Sequence, residues 1–580
     1  MNRADGGLEA LSQAMSDHTR MARLIASQGV GAVRHALAWP LRLATLIQFG
    51  GPERLLIAPQ DIRTADPTVA ADIYAGYFSF AGRVVNTHGE SPFAVTQPSQ
   101  AWATALAGFG WLRHLRAADT ALARANAQAL VDDWIQLRGR PDEEIDWQPS
   151  VIARRLISWL CQSPLILENA DRDFYRRFLK SIARQSSVLQ AQLHSGLDGE
   201  ERLLACIALA NLGLCAEGAK TLLKRSTRAL ADELDRQILG DGGHIGRNPQ
   251  SLVDLLLDLL PLRQTYLAQS ATAPQQLLNA IDRMMPMLRL FRLGDGSLAL
   301  FNGMGATAPH ALATVLAYDD ARAEPLTNAP YSGYQRMEAS DAIVVMDAGA
   351  AVCAEFSRHA HAGCLSFEFS SGQQRIIVNC GSPDESRLVL REAARSTAAH
   401  STLVVADTSS CHFASGRGLS RWLEGRIISG PMQVRAERHL YDQALRVDAT
   451  HDGYERRFGL IHARSLTMTQ DGEQIEGEDR LIASPRRVSG AGSLDYAIRF
   501  HLHPAVQPAL RDDNRAVEIA LPNGDIWLFH AGGLALALEE SISFAGSDSV
   551  RGSEQIVIHA NLRDDSHILW RLARTFKNTL

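Results

Sequence analysis

The side chains best suited to chemistry lie close together in SRHAHAGCLSFEFSSGQQRIIVNCGSP. His359 and His361 are two apart, just before a strand, and in an extended segment residues i and i+2 point the same way. Both imidazoles can therefore face one cleft. Asn379 ends the next strand, and His400 follows in ARSTAAHSTLVV. Two imidazoles plus an oxygen donor make a zinc set, because zinc takes nitrogen and oxygen ligands. The competing reading is a pair of surface or hydrogen-bonded histidines in a turn. The sequence holds no phosphate loop ending in GK[ST], no G-x-S-x-G elbow and no HExxH.

Two kinds of element must position these residues. Up to about residue 310, segments such as PSVIARRLISWLCQ, DRDFYRRFLKSIARQSSVLQAQL and SLVDLLLDLLPLRQTYLAQ place apolar residues at helical spacing. Breaks such as RGRPDEE and LGDGGHIGRNP separate them. This predicts helical hairpins packed in an arc or ring. After about residue 325 the period falls to two, in DAIVVMDAG, QRIIVNCG, YAIRFHLHP, AVEIALPNG and EQIVIHANL among others. A dozen such runs bounded by Gly, Asp, Asn and Pro predict an antiparallel sandwich. The expected division is a helical domain over 1–317, a linker over 318–333 and a β domain over 334–580.

Composition bounds the partners. The 580 residues carry 58 Lys+Arg against 64 Asp+Glu, net −6, which argues against bulk binding of nucleic acid or anionic membrane. No run of about 18 apolar residues suggests a membrane span. The N-terminus lacks a basic region followed by an apolar one, so the expectation is a cytoplasmic protein, with the cell envelope as the alternative. Seven cysteines include no CxxC pair, and most sit in apolar runs, so buried reduced thiols are expected.

HAHAGCLSFEFSSGQQRIIVNCG resembles the heparinase II/III-like domain, whose pattern there is roughly H-x-H-A-D-x-L-S-F followed by a strand ending in D-x-G. RSTAAHST (395–402), HDGY (451–454) and IHAR (461–464) resemble later elements of it, in the same order. In the helical half, ELDRQILGDGGHIGRNP (233–249) and DWQPSVIARRLISW (146–159) resemble further family motifs. The resemblance implies an incomplete (α/α) toroid followed by an antiparallel β-sandwich. It also implies a polysaccharide lyase that cleaves uronic-acid-containing chains by β-elimination. That reaction needs a base for the C–H beside the carboxylate, a group to neutralise the developing charge, and an acid for the leaving oxygen.

Carried over residue by residue, His359 matches the family's catalytic histidine. His361, Asn379 and His400 match the positions that bind a structural zinc in some members, with Asn379 standing where those carry Asp. The Asp after H-x-H-A is Gly363 here. The family's tyrosine position reads Ser251, and its Asn-His pair reads Glu200, Glu201 or Arg202, depending on a one-residue gap. The remaining candidates are His244 and Tyr454 as acid–base partners of His359, Arg155 and Arg202 as carboxylate binders, and Trp102 and Trp147 as sugar-stacking faces. The implied substrate is an acidic poly- or oligosaccharide. The alternative is a member that binds a carbohydrate or envelope precursor without cleaving it.

Overall fold

The computed structural model describes residues 52–578, apart from 142–143, 320–323, 384–386, 415–422, 424, 486–493, 512 and 547–549. The N-terminal segment on which the cytoplasmic expectation rests lies outside the described residues. Between Thr68 and Ala317 the described chain forms twelve α-helices. They pack as an incomplete toroid around a core that holds Trp102, Trp134, Trp159, Leu156, Ile207 and Leu256.

The helices start where the sequence supplies caps. Asp171 accepts from the N–H groups of Asp173 and Phe174 to open Arg172–His194, and Asn248 accepts from Gln250 to open Pro249–Ala268. Pro149 and Pro249 occupy first-turn positions, where their missing N–H costs nothing. One element was not foreseen: a hairpin of Tyr77–Phe80 and Arg83–Asn86 inserted in the helical half.

The last toroid helix ends at Ala317 and the first sheet strand begins at Asn328. Among the described residues two large antiparallel sheets follow, one of eight strands and one of nine, with a two-stranded pair, His412–Phe413 and Ile427–Ser429, beside them. They bury a second core between them, with Phe367, Phe500, Trp527 and Trp570 among its largest members. LVLREAA forms the short helix Leu388–Ala394. The seven cysteines are free, and all but Cys353 are buried. Among the described residues, no helix is long and apolar enough to cross a membrane.

A polar knot joins the two halves. Arg247, in the DGGHIGRNP turn, donates from Nε to Ser332 O at 2.7 Å and from Nη1 to Ala350 O at 2.9 Å. Its Nη2 pairs with Asp347 on the strand Ala342–Asp347. The other oxygen of Asp347 accepts from Asn302 Nδ2 at 3.1 Å, and Tyr334 Oη donates to Arg247 O at 2.7 Å. Gly349 must lack a side chain here, because a Cβ would lie 2.2 Å from the Arg247 guanidinium.

Candidate functional site

The cleft is built where the loop before His359 meets three toroid segments. Phe356 packs edge-on over the His244 ring at 5.8 Å. Glu355 pairs with Arg236 at 2.6 Å. A Cβ added at Gly303 would come within 2.6 Å of His359 O and 3.3 Å of Asn248 Nδ2. His359 therefore sits beside the capped start of the helix that carries Ser251. The charge of Arg358 reaches Glu201.

On the toroid side, Glu200 and Glu201 open the helix Gly199–Cys215. Ser251 Oγ donates to Glu200 Oε1 at 3.2 Å, and His244 Nδ1 stands 3.7 Å from the same oxygen. Gly246 N–H donates to His244 Nδ1, so the ring proton is assigned to Nε2, which donates to Gln237 Oε1 at 3.2 Å. Burial lowers the His244 pKa and keeps it neutral. Glu201 is exposed to the groove, yet the walls remove enough water to push its carboxyl upward.

Glu200, Glu201, Asp254 and Asp258 line a cavity of about 200 Å³, with Arg154 the one guanidinium among the described lining residues. Burial disfavours the Asp258 charge, but Arg154 at 2.8 Å and Arg63 at 2.7 Å prevail and hold its pKa low. Of the other carboxylates, Glu201 feels the charge of Arg358, and Asp254 those of Arg154 and Arg63. The cavity continues past Ser150, Arg154 and Leu204 into a groove of about 690 Å³, walled partly by Tyr77, Phe80 and Trp111.

His359 is half-buried, and Arg391 donates to its Nδ1. The ring proton is then assigned to Nε2, which makes His359 a donor, not a base, in this arrangement. Arg391 was missed in the sequence; it lies one helical turn before the matched Arg395, and that spacing was the available signal.

Several expectations require correction. Tyr454 does not reach the cleft: it is buried in the sandwich core and its Oη donates to Leu403 O at 2.9 Å. Arg155 is fully buried, and its donors are spent on Gln185 Oε1, Ala107 O and Asp146 O at 2.8–3.0 Å, so it braces the toroid and cannot meet a uronate. Arg202 is held by Glu233 at 2.6 Å and by Leu193 O and Leu197 O. Trp102 and Trp147 are buried, with their indole N–H groups on Phe78 O and Arg138 O. The exposed aromatic of the groove is Tyr77, on the unforeseen hairpin, with Phe80 backed by Trp102 at 5.7 Å.

The expected zinc set does not fit either. His400 Nδ1–H donates to Ser396 O at 2.8 Å, so its Nε2 accepts from His361 Nδ1–H at 3.0 Å. The two rings thus satisfy one another. Burial, and then the His400 charge, lower the His361 pKa well below its usual value. The oxygen of Asn379 accepts from Ser401 N–H at 3.0 Å, while its Nδ2 is buried without a partner among the described residues. Among the described residues, no group of three or more His, Cys, Asp or Glu is placed to hold a metal ion. Gly363 explains one departure from the family pattern, because a Cβ there would lie 2.7 Å from the His400 ring.

A helical toroid closing a groove against an antiparallel β-sandwich is the architecture of polysaccharide lyases, and solved structures of that class superpose on this one. Heparinase III aligns with a TM-score of 0.66 at 14% identity, covering 85% of this chain and 81% of that one. The heparan sulfate lyase HepC of Pedobacter heparinus aligns at 0.60 and 15%, covering 97% and 91%. A model of the heparinase II/III-like C-terminal domain matches residues 321–571. The chain belongs to the heparinase II/III-like family. It is also 32% identical, over 534 residues, to FtsZ-localized protein C of Caulobacter vibrioides (strain NA1000 / CB15N), a match covering 90% of this chain and 91% of that protein.

Proposed function

We propose that this protein is a glycan-binding member of the heparinase II/III-like family that does not perform uronate elimination, and that it localises with FtsZ, as its Caulobacter relative is named for doing. One observation carries the reading: where a lyase must neutralise a carboxylate, the cleft presents Glu200 and Glu201. Like charge in a partly desolvated groove repels a uronate. Ser251, hydrogen-bonded to Glu200, is no substitute for a phenol base, and the histidines at hand are held as donors or buried neutral. The same carboxylates suit hydroxyl- or amino-bearing sugars, and Tyr77 supplies an exposed ring for stacking.

A second reading, elimination at His359, has one observation in its favour: Arg391 and Arg358 bring two guanidiniums to that side of the cleft. Incubation with a panel of uronate polymers, followed by the ultraviolet absorbance of the unsaturated product, separates the two. No rise is expected from the folded full chain. A rise abolished by His359→Ala would establish the second reading instead.

A further inference from the structure

A second cavity, of about 430 Å³, lies away from the cleft at another junction between the halves. The toroid contributes the turn Arg292–Ser297 and the helix Pro309–Ala317; the sandwich contributes Arg375, His503 and Arg551. From its basic lining and the helix N-terminus described next, we infer that this cavity binds a small molecule bearing a phosphoryl or carboxylate group. The inference is independent of the reading of the cleft.

Among the described residues, three arginines line the cavity with one carboxylate, Asp295. That carboxylate is engaged locally, since its Oδ1 accepts from Ser297 N–H at 2.9 Å and Ser297 Oγ at 2.6 Å. Arg375 is buried; it gives Nη2 to Glu368 at 2.7 Å and Nη1 to Ser297 Oγ at 3.2 Å, and its Nε is left with no acceptor. Arg292 Nε is likewise buried with no acceptor. An oxyanion is the group that matches the guanidinium forks lining the cavity. Arg292 also lies near Arg289 and Arg336; burial, then these like charges, lower its pKa. His503 is pushed down to about 4 by burial and then by Arg375.

The helix Pro309–Ala317 adds to the field. It begins at the cavity with Pro309 at its first position and no side-chain cap from Ala308. Its first free N–H groups and positive dipole end favour an anion. Leu300, Leu312 and Leu316 form an apolar wall that fits the body of a compact ligand.

The test is calorimetric titration of the full chain at low ionic strength, where charge pairing is least screened, with inorganic phosphate, glucose 6-phosphate and glucuronate as probes. Saturable binding of at least one probe is expected. Arg292→Gln and Arg551→Gln should each weaken it by about tenfold or more, while Lys224→Gln, on an exposed helix face, should leave it unchanged. Circular dichroism confirms that each variant is folded. Preference for the phosphates assigns a phosphoryl ligand, and preference for glucuronate a carboxylate. Failure of all three probes to saturate, or equal binding in both arginine variants, would overturn the inference.

Discussion

Replacing Asp347 with alanine is expected to cost about 3–5 kcal/mol of stability, the penalty of leaving a buried ion unpaired. Asp347 is 2% exposed and its partner Arg247 is 8% exposed. Removing the carboxylate strands the guanidinium between Ser332 O and Ala350 O, over the Tyr334 ring. Asn302 and the Gly349 N–H lose an acceptor in the same step. Asn302 also receives the His361 N–H at 3.3 Å, so the loosening runs into the histidine loop. Because the knot bridges two cores, urea unfolding of the variant should separate into two phases. A single transition shifted by less than about 1 kcal/mol would show that the knot does not couple the halves.

The second large effect lies inside the sandwich. Asp479→Asn is expected to destabilise by a similar amount, about 3–5 kcal/mol. Asp479 accepts from Arg464 Nε at 2.8 Å, His462 Nε2 at 2.7 Å and Trp570 Nε1 at 2.9 Å. The histidine chain is fixed from its far end. Gly453 N–H donates to His451 Nδ1, so His451 Nε2–H donates to His462 Nδ1, and His462 must give Nε2–H to Asp479. Burial opposes the Asp479 charge, but Arg464 and His462 prevail and hold its pKa far below the usual carboxylate range.

The pH dependence follows from that direction. A depressed folded pKa gives stability that is complete above the unfolded value, about 3.9, and is lost as pH falls towards the folded value. Melting curves of the wild type should therefore lose stability on acidification below that range. The Asn variant should lack this component. If the two curves run parallel down to the acid limb, the ion pair does not contribute as described.

These two networks show how much the sequence disclosed. The change of period from 3.6 to 2 located both halves, because burying one face of a helix or strand forces that pattern. DGGH, H-x-H and HDGY marked positions where the backbone or a buried polar group is constrained. Their direction was not legible. HDGY leads into a four-residue helical turn, Glu455–Phe458, with Tyr454 buried in the core just before it, and nothing in its spacing says which way the ring points. Arg155 looked like a ligand for the same reason: a helical arginine gives no sign that Ala107 O and Gln185 Oε1, distant in sequence, will take its donors. The hairpin carrying Tyr77 escaped notice because four-residue strands are too short to show a period. The acidic character of the cleft was partly visible in Glu200 and Glu201. Asp254, from a second helix, joined them only when the toroid closed.

The most direct test of the central claim, that an acidic groove binds sugar without eliminating uronate, is a calorimetric comparison of two oligosaccharides of equal length. One carries glucosamine and the other glucuronate. The account predicts that the amino oligomer binds the full chain at least about tenfold more tightly, with neither degraded. Equal affinity, or preference for the glucuronate oligomer, would contradict it.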